Sequence, residues 1–159
     1  MSNQIKKTSI RTMQWKLFLL GLFKIPIIGF TRPKLISIDD KNVVVKIKLN
    51  RRTKNHLNSM YFGALAVGAD IAGGLQSFYF AERYGKKISF AFKSSTAQFL
   101  KRAETDTFFE SNQGAVIVAA LKKSIETGER VNDIVTVIAK NTQGEIVATF
   151  EMGISLKVL

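Results

Sequence analysis

The chain has no cysteine among its 159 residues, so disulfides and thiolate nucleophiles are excluded and the redox compartment is left open. It has a single histidine, too few for a multi-histidine metal site within one chain, and no close cluster of acids takes that part. No metal site is expected. Long apolar runs are missing too. The most apolar stretch, residues 15–30, is interrupted by Lys16 and Lys24, is broken by Pro26, and falls short of the roughly 20 apolar residues that a membrane span needs. Small residues ahead of a cleavage site are absent, so no signal peptide is expected, and the expected location is the cytoplasm.

Acidic residues are scarce. Twelve Asp and Glu stand against 24 Lys and Arg, a net charge of +12, which favours an anionic partner: nucleic acid, an anionic membrane surface or a phosphorylated small molecule. Plain solubility is the alternative. No aromatic recognition motif accompanies the charge, so specific nucleic-acid binding is not expected. The basic flanks of residues 11–30 leave peripheral membrane contact open beside the simpler reading, a helix that caps the domain.

What is present reads as one soluble domain. Hydrophobic residues make up 46% and charged residues 23%, ordinary values for a chain able to bury a core of its own. No repeat or low-complexity linker divides residues 1–159, and residues 1–30 read as an N-terminal helical extension, with a helix from about Arg11 to Phe23. Residues 34–39 and 42–50 are alternating or β-branched, with Asp39-Asp40-Lys41-Asn42 as the turn between them. A long helix is expected from Ser59, as N-cap, to Tyr84, with Gly85 stopping it. Strands follow at 87–100 and 104–110. Residues 115–126 read as a helix ending at Gly128, with a strand competing at its Val/Ile-rich start. A final hairpin joins 131–140 to 145–158 through Asn141-Thr-Gln-Gly144. The order predicts an α+β fold, a largely antiparallel sheet wrapped on one central helix.

Within that helix Asp70 is the one carboxylate between Asp40 and Glu82, set in a run of small and apolar residues. A helix apolar all round is normally buried, and an ionised acid there is costly unless it is paired or hydrogen-bonded. Asp70 is therefore either a functional carboxylate in a pocket or a structural acid tied to backbone or Asn55. Just upstream, Asn55-His56-Leu57-Asn58-Ser59 forms a polar knot at the helix entrance.

These residues resemble a known family. Asn55-His-Leu-Asn58-Ser-Met-Tyr61-Phe62-Gly63, then four residues, then Gly68-Ala69-Asp70-Ile-Ala72 match without a gap the pattern Asn-x-x-Gly-x-x-His-Gly-Gly…Leu-Ala-Asp-x-Ala. That pattern belongs to the hot-dog fold thioesterase superfamily, in its phenylacetyl-CoA thioesterase-like branch and uncharacterised relatives. Ala97-Gln-Phe99-Leu100-Lys101-Arg102-Ala103 and Asn141-Thr-Gln-Gly144-Glu-Ile-Val-Ala148 are similar to two further segments of these enzymes. The departures are Tyr61 for the family histidine, Phe62 for its first glycine, Gly68 for leucine and Asn58 for glycine.

The resemblance implies a hot-dog fold, a curved antiparallel sheet around a long central helix, and hydrolysis of fatty or aryl acyl-CoA thioesters. It implies no cofactor, coenzyme A being part of the substrate. Such hydrolysis needs an activated water and a donor for the developing oxyanion. Asp70 is the candidate base or nucleophile, and a first-turn N–H of Phe62 or Gly63 is the candidate oxyanion donor. Tyr61 would donate in place of the histidine, and Asn55 would orient Asp70 or the water. Gly63 and Asp70 share a helix face about 10 Å apart along the axis, too far for one carbonyl to use both. A homodimer, or a dimer of dimers, with the site between antiparallel central helices would bring them together.

Substrate-binding candidates are His56, Ser77, Lys101 and Arg102, the last two facing coenzyme A phosphates. Each has a plainer alternative: a loop histidine, a helix-packing serine, solvated strand ends. The apolar N-terminal helix either lines an acyl tunnel or merely caps the sheet. Two other functions compete with hydrolysis. One is an acyl-CoA or fatty-acid binding module without chemistry. The other is a hydratase or dehydratase, against which Tyr61 argues at the position of the histidine.

Overall fold

The computed structural model describes residues 8–159, so residues 1–7 of the expected N-terminal extension lie outside the described residues. Two helices open the chain: α1, Ile10–Phe23, and α2, Pro26–Thr31. The hydroxyl of Ser9 caps α1 by accepting from the Thr12 N–H. In the sequence Pro26 reads as a break. It is also a starter, because proline at the first helical position costs no hydrogen bond and presets φ. Gly21 and Gly29 let the two helices touch backbone to backbone; a Cβ at Gly21 would meet the Gly29 nitrogen at 2.6 Å.

Then come β1 (Lys34–Ile38), β2 (Val43–Ile47), α3 (Phe62–Arg83), β3 (Ile88–Phe99), β4 (Thr107–Ser111), α4 (Gly114–Thr127), β5 (Val131–Lys140) and β6 (Ile146–Val158). All six strands form one antiparallel sheet in the order β1-β2-β4-β5-β6-β3. The central helix α3 packs across five of them and against α4. Its inward side carries Ala64, Ala69, Ala72, Leu75 and Phe80, meeting Val45, Phe109, Val137 and Ile154 from the sheet in one buried core. This is the hot-dog arrangement, with the long helix as filling.

Three boundaries differ from the sequence reading, each for a local reason. The N-cap of α3 is Tyr61 rather than Ser59. Ser59 is tied back to Asn55, while the N–H groups of Met60 and Tyr61 donate to Ala103 and Thr53, holding the chain extended until Phe62. The strand β4 starts at Thr107 rather than Glu104, because Asp106 turns aside to accept from the Leu49 N–H and pair with Lys46. That same bond draws Leu49 out of β2, which ends at Ile47. Residues 114–127 are helical from the start, and the competing strand is not formed.

Gly85 does stop α3, at φ +61. Asn58, standing where the resembled family has glycine, also has positive φ, +59. Asparagine is the side chain that best tolerates this left-handed conformation, so the departure keeps the turn. Gly68 has its own compensation. The ring of Phe109 from β4 occupies the space a side chain would fill, lying 2.3 Å from where its Cβ would be.

Candidate active site

The polar knot is a closed loop. The Asn55 side-chain oxygen accepts from the N–H groups of Leu57 and Ser59, its amide donates to the Ser59 hydroxyl at 3.1 Å, and its own N–H donates to the Ser59 carbonyl. Within one chain Asn55 thus builds the entrance to α3 and makes no bond to Asp70. The loop delivers Tyr61 as an N-cap with no side-chain bond to the helix. The next two N–H groups, of Phe62 and Gly63, donate to nothing among the described residues. No acid lies in the first turn of α3, so the positive end of the helix dipole is uncompensated there. Two free, co-directed N–H groups at a helix start suit a developing oxyanion.

Around this end lies a cavity of about 590 Å³, lined by Asn55, His56, Tyr61, Phe62, Phe99, Lys101 and Arg102 among others. His56 is exposed. Lys101 pairs with Glu145 at 2.6 Å, which lowers the glutamate's pKa, whereas Arg102 is exposed and makes no ion pair among the described residues. The ring of Tyr61 lies over Gly63, where a Cβ would meet it at 2.4 Å. Phe62 stacks edge-on to Phe99, so the mouth is aromatic.

Asp70 lies two turns further along α3, in a different cavity of about 280 Å³. The walls are Leu17 and Leu20 of α1, Ile25 and Ile28 at α2, Phe78 of α3, and Phe90 and Phe92 of β3. No group among the described residues hydrogen-bonds to its carboxyl, and burial alone pushes its pKa up. The structural alternative, an acid tied to backbone or to Asn55, is therefore not what one chain displays. Ser77 lies fully buried, lines neither cavity, and leaves its hydroxyl without a partner among the described residues. Between Gly63 and Ser77 of α3 only Gly63, Ala66 and Asp70 are not buried, and they form an open stripe.

One chain therefore gathers Asn55, His56, Tyr61, Phe62, Lys101 and Arg102 at the helix start and leaves Asp70 and Ser77 elsewhere. Of the two readings of the N-terminal helix, tunnel lining or cap, α1 does line the Asp70 cavity. The spacing of Leu17 and Leu20 hints at a helix face, but α2 itself was hidden behind Pro26. No clusters of histidine and acids able to hold a metal occur among the described residues.

The fold and this arrangement define a hot-dog protein. Solved structures of that fold align along nearly the whole chain. A Pseudomonas aeruginosa protein of unknown function, named a probable thioesterase, is 19% identical with a TM-score of 0.77, covering 98% of this chain and 99% of its own. A Chlorobaculum tepidum protein of unknown function gives 10% and 0.81, covering 94% and 96%. A Haemophilus influenzae thioesterase gives 8% and 0.71, covering 98% and 95%. No curated protein matches the sequence. The chain belongs to the family described as Domain of unknown function (DUF4442), whose model matches residues 14–158.

Proposed function

We propose that this protein is an acyl-CoA thioesterase-like hydrolase whose site is shared between two subunits. The observation that carries the reading is the pairing of unmet needs on the open stripe of α3: two unpartnered N–H groups at Phe62 and Gly63, and an unpartnered, half-buried carboxyl at Asp70. The first serves an oxyanion and the second a water molecule. They lie too far apart in one chain to act on one carbonyl.

The edge strand β3 supplies a way to join them. It runs past the Asp70 cavity at Phe90 and Phe92 and reaches the helix-start cavity at Phe99. Antiparallel pairing of β3 with its copy would set the Phe99 end of one subunit beside the Phe90 end of the other. Each Asp70 would then face its partner's helix start. The strand is exposed from Lys93 to Phe99 on both faces, as an unpaired edge would be.

In the reaction, Asp70 takes a proton from water as the water oxygen bonds to the thioester carbonyl carbon. The carbonyl oxygen gains charge and accepts from the N–H groups of Phe62 and Gly63. Collapse of the tetrahedral intermediate breaks the C–S bond, and the leaving thiolate takes the proton from Asp70. The raised pKa makes Asp70 a stronger base than an ordinary aspartate. The apolar walls beside Asp70 suit an acyl chain, while Arg102 suits a coenzyme A phosphate.

A second reading is favoured by one observation. The ring of Tyr61 covers Gly63, and an acyl-CoA could be held there without reaching the N–H groups. A panel of acyl-CoA chain lengths, assayed by thiol release with wild type and Asp70→Asn, separates the two. Turnover in wild type that falls by about 10²–10⁴-fold in the variant fits loss of a catalytic base. Binding without turnover in both proteins supports the binding module, and no binding at all overturns both readings.

A further inference from the structure

The outer face of the helical hairpin α1–α2 has no cover. Trp15, Phe18 and Leu22 project from one side of α1 at 59%, 52% and 55% exposure, and Phe23, Ile27 and Phe30 extend the patch at 72%, 59% and 57%. The opposite side, with Met13, Leu17 and Gly21, is buried on the domain. A helix with large apolar side chains on two opposite sides belongs in contact with apolar matter on both. Soluble monomers rarely leave so many neighbouring large apolar side chains in water.

The charge carried by this hairpin has one sign, and one of its cations, Lys16, is paired with Glu82 of α3. The first acidic residue of the chain is Asp39, and every charged residue before it is Lys or Arg. Arg11 and Lys34 line the groove beside Trp15 and Phe18, and Arg32 lines the groove beside Leu22 and Phe30. Arg52 lies over the Phe30 ring, 5.7 Å from its centre. A second copy seated here about a two-fold axis would bring two like rims together, which is repulsive. An anionic lipid surface meets both needs at once. It takes the aromatic and aliphatic side chains at the acyl boundary and the cations at the headgroups.

We infer that the α1–α2 hairpin docks the protein onto anionic membranes, lying in the interface plane. Spanning is not involved: the 14 residues of α1 are about 21 Å long, less than a hydrocarbon core, and no helix among the described residues is long and apolar enough to cross. Gly21 against Gly29 locks the two helices together, so the patch is presented as one rigid surface. The inference stands independently of the hydrolase reading.

Trp15 is the single tryptophan of the chain and reports directly on this surface. The full-length protein is titrated with equimolar phosphatidylcholine–phosphatidylglycerol vesicles and with pure phosphatidylcholine vesicles, following Trp15 emission and sedimentation. A blue shift, shielding from iodide, and binding at least about tenfold tighter to the anionic vesicles are expected. Arg32→Gln with Lys34→Gln should weaken binding roughly 30-fold, about fivefold for each cation removed. Phe18→Ser with Leu22→Ser, both at exposed positions, should abolish the apolar anchoring while leaving the far-UV spectrum unchanged. Unchanged Trp15 emission on anionic vesicles overturns the inference. So does vesicle binding that survives the Phe18/Leu22 change, or a Trp15 shift that follows protein concentration rather than lipid, which would mean a second copy covers the patch.

Discussion

Adding one methyl group to Gly68 would put a carbon 2.3 Å from ring carbons of Phe109, far inside the roughly 3.5–4.0 Å of a carbon–carbon contact. The ring has no exposed surface, so it cannot swing into solvent to make room. Gly68→Ala is expected to lose about 2–3 kcal/mol to overpacking and regain about 1 kcal/mol of helix propensity, a net loss of about 1–2 kcal/mol. Phe109→Leu trims the ring and alone costs about 1 kcal/mol. In the double variant the new methyl group enters the vacated space. The overpacking disappears, the propensity gain remains, and stability returns to within about 0.5 kcal/mol of the parent. Urea denaturation of the four proteins at constant slope measures the cycle, whose coupling should be about 2–3 kcal/mol. Additive losses, or a Gly68→Ala variant as stable as the parent, would refute the idea that Phe109 keeps position 68 small.

Two further outcomes follow from burial and backbone geometry. Burial holds the Asp70 carboxyl above its ordinary value of 3.8, so the folded protein keeps a proton that the unfolded chain releases. Stability contributed by this group therefore falls as pH rises from 3.8 to the folded-state value and is level above it. Asp70→Asn should remove that slope and be the more stable protein at neutral pH. Urea titrations across the acid range check this, and a variant advantage that grows towards low pH would contradict it. At Asn58, with φ +59, replacement by alanine should cost about 1 kcal/mol while glycine stays within about 0.5 kcal/mol of the parent. Equal losses in thermal or urea melts would instead assign the effect to the 3.1 Å bond between Lys54 and Asn58.

Much of the fold was legible because its signals are local and periodic. The 22 residues of α3 carry a glycine stop, and the last two strands are joined by an Asn-to-Gly turn whose Gly144 takes positive φ. The errors came where a distant partner decides. Asp106 capturing the Leu49 N–H, or Ala103 accepting from Met60, leaves no mark in the neighbouring sequence. The site divides the same way. Asp70 stood out as an acid among small apolar residues, and the helix-start residues Asn55 to Gly63 came from the family resemblance, with the N-cap placed two residues early. The α1 wall was one of two readings of the apolar N-terminal helix, whereas the α2 wall left no signal, because Ile25 and Ile28 reach Asp70 only through the packing of Gly21 on Gly29. Ser77 shares a helix face with Asp70 on a wheel, yet it is fully buried in the core and lines no part of that cavity, whereas its neighbour Phe78 does.

The strand β3 has a consequence for the life of the newly made chain. It is 12 residues long, ends the sheet, and carries one charge, Lys93. An open strand edge recruits any backbone that arrives, and charges are the usual deterrent. If β3 pairs with its copy as proposed, finding that copy is a second-order process, whereas exposure begins as soon as the domain folds. Synthesis rate and local crowding of sister chains thus set how long the edge waits, and Lys93 is its lone gatekeeper meanwhile.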